Sequence, residues 1–250
     1  MQIECQTNVG QKRKNNQDTV GVYHNEKGIP LAIVADGMGG HQAGDTASQL
    51  MVTGIGSSWE NCQLDTARDI EEWIVKNIQQ QNDVIFQEGQ AHPEKFGMGT
   101  TIVATVILDN QLLLAHVGDS RGYLAKAGVI KQLTEDHSLV NELVKTGEIT
   151  PEMALKHPKR NILIRSVGVE GTIAVDLTWV TIQSDSYLLL CSDGLTNMVS
   201  DELIRQIIVG PGTLQNKVTE LITEANNAGG VDNITALLVY FETSGKEDKE

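Results

Sequence analysis

Two segments of this chain share one unusual design. "LAIVADGMGGHQAGD" at 31–45 and "YLLLCSDGLTNMVSDELI" at 187–204 each carry an apolar run, of the kind that forms a buried strand, to an aspartate followed by glycine. A single Asp-Gly pair is ordinary turn chemistry, because aspartate tolerates tight backbone and glycine supplies positive φ. The recurrence asks for more. In "GGVDNITALLVYF", Asp232 precedes its strand instead of following it. If that strand runs antiparallel to the other two, Asp36, Asp193 and Asp232 share one sheet edge. Asp119, in the predicted hairpin turn "VGDSRGY", and Asp18, just ahead of "TVGVY", are two further carboxylates with the same topological option.

Carboxylates gathered at one edge repel by about 4 kcal/mol per close pair at an effective dielectric near 20, so protons or cations must neutralise them. Oxygen donors without soft sulfur or paired imidazoles suit Mg2+ or Mn2+, and no D-x-D-x-D-G loop marks a calcium site. Gly37, lacking a side chain, would let its carbonyl approach an ion closely. Two ions sharing a water lower its pKa toward neutrality and hold it in line with phosphorus, which is the chemistry of a phosphoester hydrolase. The anionic substrate then needs a donor, and "GQKRKNNQD" places Lys12, Arg13 and Lys14 shortly before Asp18. Arg13 offers the bidentate fork that phosphate prefers, set against the plainer reading of a solvated basic turn.

Composition narrows the partners. The 250 residues are 40% hydrophobic, enough to bury a full core, and 33 Asp and Glu against 19 Lys and Arg leave a net charge of −14. Such a chain repels nucleic acid and anionic membrane surfaces. No apolar stretch approaches the roughly 20 residues that span a bilayer, and the N-terminus lacks a signal-peptide core, so no membrane insertion and a cytoplasmic location are expected. Cys5, Cys62 and Cys191 are odd in number and widely spaced, which fits reduced thiols. Cys62 and Arg68 have the C-x5-R spacing of thiolate phosphatases, but no glycine lies between them to build the phosphate loop, and the match is set aside.

Strand patterns fall at 19–23, 31–35, 101–108, 112–117, 122–126, 173–182, 187–191 and 234–241, and helical ones at 46–59, 69–88, 138–146, 151–157, 201–209 and 214–227. Asp45 or Thr46 is the expected cap of the first helix and Ser200 that of a later one. Tight turns at 109–110, 119–120 and 127–128 predict an antiparallel meander. One domain over 1–242 is expected, with a small flap insertion at about 137–168 and a polar tail at 243–250.

In order, "GQKRKNNQD", "VADGMGGHQAG", "GMGTT", "HVGDSRGYL", "LTEDHSLVNELV", "CSDGLTNMVS" and "GGVDNIT" closely resemble the bacterial metal-dependent serine/threonine protein phosphatases of the PPM or PP2C family. The similarity extends over nearly the whole chain and is close to the phosphatases of Gram-positive bacteria that oppose a membrane-bound serine/threonine kinase. It implies an α+β fold, a four-layer α-β-β-α sandwich of two antiparallel sheets. It implies hydrolysis of phosphoserine and phosphothreonine in proteins by a hydroxide on two Mn2+ or Mg2+ ions, in a monomer with a cognate kinase as partner. Asp36 would bridge the ions, the Gly37 carbonyl would bind one, and Asp193 with Asp232 the other. Asp119 would hold a third, weaker ion together with Asp193, Asp18 would act through water, and Arg13 would bind phosphate. Two departures stand out. Gln17 replaces a common glutamate, and Met38 stands where eukaryotic members carry a histidine thought to act as general acid. His41 is the stand-in, equally readable as a surface histidine at a helix start.

Overall fold

A computed structural model of the chain describes residues 1–39 and 43–242; His41 and the 243–250 tail lie outside the described residues. In chain order the elements are β1 (Gln2–Asn8), β2 (Asp18–His24), β3 (Pro30–Met38), α1 (Ala43–Glu60), α2 (Ala67–Ala91), β4 (Gly99–Thr100), β5 (Ile102–Leu108), β6 (Gln111–Val117), β7 (Arg121–Lys126), β8 (Val129–Gln132), α3 (Leu139–Lys145), α4 (Pro151–Leu155), β9 (Asp176–Thr181), β10 (Ser186–Cys191), α5 (Asp193–Thr196), α6 (Asp201–Val209), α7 (Leu214–Asn227) and β11 (Ile234–Phe241). One sheet runs β1-β11-β10-β7-β8 and the other β2-β3-β5-β6-β9, with β4 added to β3; every pairing is antiparallel.

Strand β3 shows why the central runs are apolar at every position. Leu31, Ile33 and Ala35 join a core with α1 and α2, whose anchors include Met51, Ile55, Trp59 and Ile74. Ala32 and Val34, on the opposite face, meet Leu188, Leu190, Leu237 and Val239 of the second sheet. Leu189, Ala236 and Leu238 turn outward again onto Ile204, Ile208, Leu221 and Ala225 of α6 and α7. Both faces of each sheet are therefore buried, which removes the polar alternation of a half-exposed strand. The order of layers is helix, sheet, sheet, helix, an α+β sandwich.

The helices begin where side chains can satisfy the first turn. Thr66, Ser200 and Thr213 accept from the N–H three residues on, at 3.2–3.4 Å, and Ser200 is the expected cap. The first helix departs from expectation. It starts at Ala43, so Asp45 lies within its first turn and accepts from the Thr46 N–H at 2.6 Å. Strands β1, β4 and β8 and the single turn α5 lacked a sequence signal, being edge strands or very short.

Two of the three turns predicted for the meander close hairpins. Ala127 (φ 49°) and Gly128 (φ 78°) close the β7–β8 hairpin, and Asp109 (φ 51°) helps close β5–β6. The 118–120 turn is not a hairpin, because β6 and β7 belong to different sheets and the chain crosses from one to the other there.

Candidate metal centre

That crossing places Asp119 between the sheets, at the end of the sandwich where the other acidic residues arrive. Asp36 sits near the C-terminal end of β3, with Asp18 as its direct antiparallel partner on β2. Asp193 follows β10 and Asp232 precedes β11, and these strands are antiparallel neighbours in the other sheet. The expected single sheet edge is thus corrected to one end of a sandwich, with carboxylates supplied by both sheets. Arg13, Gln17, Asp36, Gly37, Met38, Thr101, Asp119, Asp193 and Asp232 line a cavity of about 350 Å3 there.

The backbone of Asp36 is held on both sides. Its N–H donates to Thr101 Oγ1 at 3.0 Å, and its carbonyl accepts from the Thr101 N–H and Thr100 Oγ1, each at 2.9 Å. The two threonines of "GMGTT" therefore fix the direction of the Asp36 side chain. The Asp-Gly pairs also have a reason other than turns. Neither Gly37 nor Gly194 has positive φ. A Cβ on Gly37 would collide with the Gly44 carbonyl oxygen, and one on Gly194 with that of Asn233. Close backbone approach demands the glycines.

Asp18 is buried, and its Oδ2 accepts from Thr235 Oγ1 at 2.6 Å and Ser192 Oγ at 2.7 Å. Its Oδ1 is buried with no hydrogen-bond partner among the described residues. Ser192 in turn accepts from the Thr235 N–H at 3.0 Å, so one hydroxyl spans β10, β11 and β2. Asn233 fastens the basic loop: its Oδ1 accepts from the Gln17 N–H at 2.8 Å, and its amide donates to the Val9 and Asn15 carbonyls at 2.9 Å. Arg13, carried by that loop, donates to Asp232 Oδ2 at 2.8 Å. Sequence reasoning missed Thr101, Ser192, Asn233 and Thr235. Their positions inside the quoted motifs were the only signal.

The charge balance explains the electrostatics. Desolvation first, then the neighbouring carboxylates, push Asp36 well above the usual carboxyl range and raise Asp193, and they bring Asp119 to about 8. Desolvation also raises Asp18 to about 7 against the two hydroxyls that favour its ionised form. These groups touch cavity solvent, apart from buried Asp18, yet sit deep enough in protein to feel each other strongly. An orphaned buried oxygen, mutually repelling carboxylates and glycines packed against backbone carbonyls form an all-oxygen donor set that fits hard divalent cations.

Beside this cavity lies a larger one of about 710 Å3, which shares Asp119 and Asp193 and is walled by Val140, Val144, Pro151, Leu155 and Arg160 of the flap segment and by Val199 and Asp201. Cys62 packs against the α1–α2 core, and Arg68 pairs with Glu72 on the surface at 3.0 Å, so the C-x5-R match forms no site. Burial pushes the Cys191 thiol up to about 12, which leaves it a packing residue.

Two antiparallel sheets between helices, with acidic side chains from both meeting at one end, make the architecture of a metal-dependent phosphatase. The chain belongs to the protein phosphatase 2C family, whose profile matches residues 5–233. It is 49% identical over 247 residues to the serine/threonine phosphatase stp of Listeria monocytogenes, covering 98% of each chain. The solved serine/threonine phosphatase of S. agalactiae superposes with a TM-score of 0.94 at 44% identity, over 96% of this chain and 99% of that one. The catalytic domain of the serine/threonine protein phosphatase PstP, solved with two manganese ions, superposes with a TM-score of 0.84 at 32% identity, over 95% and 96%.

Proposed function

We propose that the chain is a protein serine/threonine phosphatase that hydrolyses phosphoserine and phosphothreonine with two divalent ions, Mn2+ or Mg2+, and a third, weaker one. The observation that carries the reading is the convergence of Asp18, Asp36, Asp119, Asp193 and Asp232 from two sheets on one end of the sandwich, with desolvation raising four of them. Asp36 would bridge two ions, the Gly37 carbonyl would hold one, and Asp193 with Asp232 the other. Asp119 with Asp193 would hold the third, and Asp18 would reach the site through water. When bound, such ions supply a water acidic enough to be nucleophilic at neutral pH.

The chain's own residues do the rest. Arg13 orients the phosphoryl oxygens by leaving or sharing its bond to Asp232. Thr100 and Thr101 keep Asp36 aimed. The 710 Å3 cavity receives polypeptide flanking the phosphorylated residue, which favours proteins over small phosphate esters as substrates. His41 is the chain's candidate for protonating the departing oxygen. A His41→Gln variant should then be slowed on a phosphothreonine peptide and unchanged on p-nitrophenyl phosphate, whose leaving group needs no acid. We place the enzyme in the cytoplasm as a monomer, with a cognate serine/threonine kinase as partner. Among the described residues no helix is long and apolar enough to cross a membrane.

Hydrolysis of a phosphothreonine peptide tests the proposal directly. It should require added Mn2+ or Mg2+, vanish with chelator, and persist in Cys62→Ser. Activity that survives Asp36→Ala and Asp193→Ala would sink it.

A further inference from the structure

Immediately before Asp119, residues 118 and 137 hold each other from both sides. The His137 backbone N–H donates to the Gly118 carbonyl at 2.9 Å, and the Gly118 N–H donates to His137 Nδ1 at 3.1 Å. Gly118 cannot be replaced easily: its φ is +112°, and an added Cβ would meet the Thr101 side chain at 2.5 Å. On the other side of Asp119, Ser120 shares a hydrogen bond of 2.7 Å with Thr101, the residue that receives the Asp36 N–H. The Asp119 carboxylate thus hangs from a turn pinned at one end by Thr101 and at the other by His137.

The hydrogen bonds fix the state of the ring. An Nδ1 that accepts carries no proton, so the ring proton lies on Nε2 and faces Asp176 Oδ2 at 3.2 Å. Burial, with His137 only 4% exposed, holds its ring below the ordinary imidazole range, and neighbouring His116 and Arg165 act in the same direction against Asp176. Arg165 donates to Asp176 Oδ1 at 2.8 Å; its 3.2 Å approach to His137 Nε2 sets two donors together and is a contact only. Arg165 belongs to the returning limb of the flap segment, whose Ile164 N–H donates to the His137 carbonyl at 2.9 Å and whose Leu163 bridges Ser138.

The same residues bring ligand atoms of His116, His137 and Asp176 within 4.8 Å of one another, as a metal site would. The ring geometry opposes that use. His116 and His137 stack at 4.7 Å and 15°, so their in-plane lone pairs run nearly parallel and do not meet at a point. His116 Nε2 is engaged by the Glu135 carbonyl at 2.9 Å, and the Arg165 guanidinium lies against the trio.

We propose that His137, its tautomer set by Asp176, is a positioning residue for the Asp119 carboxylate, and that Arg165 links this positioning to the seating of the flap segment. The inference rests on the metal-dependent phosphatase reading above. Partners that orient a metal-holding carboxylate are worth about 10- to 100-fold in affinity or rate.

The test compares wild type, His137→Asn and His137→Gln. Asparagine keeps an acceptor near the Nδ1 position, whereas glutamine keeps only a group near Nε2. Mn2+ titration by calorimetry should show the weakest binding step of His137→Gln loosened by about tenfold or more, with tighter steps unchanged. On a phosphothreonine peptide its kcat should fall by about the same factor with KM within about threefold, and His137→Asn should recover most of both losses. Wild-type uptake and turnover matched by His137→Gln, or equal defects in both variants, would overturn this inference and leave the phosphatase reading standing. A wild type that neither takes up Mn2+ nor turns over would bring down that reading, and this inference with it. A measurement free of variants guards against misfolding: the nitrogen-15 spectrum of the metal-free wild type at neutral pH should show His137 as the Nε2–H tautomer, and a protonated Nδ1 would refute the proposal.

Discussion

Asp18 and Asp36 are register partners across the β2–β3 pair, two carboxylates directly opposite each other at the end of a largely apolar ladder. Like charges facing across strands destabilise a sheet, so this pair marks a place where folding has yielded to another requirement. Four of the expected consequences concern stability as much as activity.

Asp36→Asn should abolish high-affinity Mn2+ uptake in calorimetry and reduce turnover below about 1% of wild type. The same substitution should make the metal-free protein more stable, because it removes a desolvated carboxylate raised by Asp18, Asp193 and Asp119. A gain of about 1 kcal/mol corresponds to roughly 2–4 °C in Tm for a domain of this size. An unchanged or lower Tm would contradict the repulsion.

The metal-free protein should lose stability as pH rises. Asp18 at about 7 and Asp119 at about 8 are raised above their unfolded values near 3.8, so the folded state binds the extra protons. Their contribution is complete below about pH 4 and is lost as pH climbs through 7 and 8. Tm measured from pH 6 to pH 9 in chelator should therefore decline, and saturating Mn2+ should flatten the curve. A rising Tm over that range in chelator would reverse the sign of both shifts.

Thr235→Val keeps the shape of the side chain but takes one of two hydroxyl donors from the buried Asp18. Denaturant midpoints should show a loss of about 1–3 kcal/mol, the cost of leaving a buried acceptor short of a partner. Mn2+ affinity should weaken by about tenfold, because Asp18 is no longer held toward the site. Val at 235 with full metal affinity would show that Ser192 alone suffices.

Gly194→Ala should be far more damaging than its size suggests. The added methyl runs into the Asn233 carbonyl, and Asn233 holds the loop that carries Arg13. A stability loss of about 1–3 kcal/mol is expected from overpacking, accompanied by a raised KM as Arg13 shifts. Arg13→Lys should raise KM by about tenfold with kcat nearly unchanged, since a point charge cannot reproduce the guanidinium fork. Equal kinetics for Arg13→Lys and wild type would remove the phosphate assignment.

Much of the fold was legible because the core strands and long helices have distinct periods. Runs such as 31–35 and 234–241 are continuous, and α2, α6 and α7 carry apolar residues at helical spacing. Strands β1 and β8 escaped notice since each is an edge with mixed burial. The role of glycine in the Asp-Gly pairs was read partly for the wrong reason. Positive φ is a local property that sequence can suggest, whereas collision with the carbonyl of Gly44, across the strand-to-helix connection, or of distant Asn233 depends on packing.

The sequence alone determined the chemistry on offer: an acidic chain, five aspartates at strand ends, one arginine near Asp18, and neither a glycine-lined thiolate loop nor a paired imidazole at motif spacing. It also determined which segments are buried, because hydrophobic pattern is written residue by residue. Only the tertiary structure decided that the acidic groups come from both sheets, that Asp119 sits on the crossing between them, and that Thr101, Ser192, Thr235 and His137 hold them in place. Those relationships join residues 19 to 217 positions apart. Contacts at such separations follow from how the layers stack, and no local propensity encodes them.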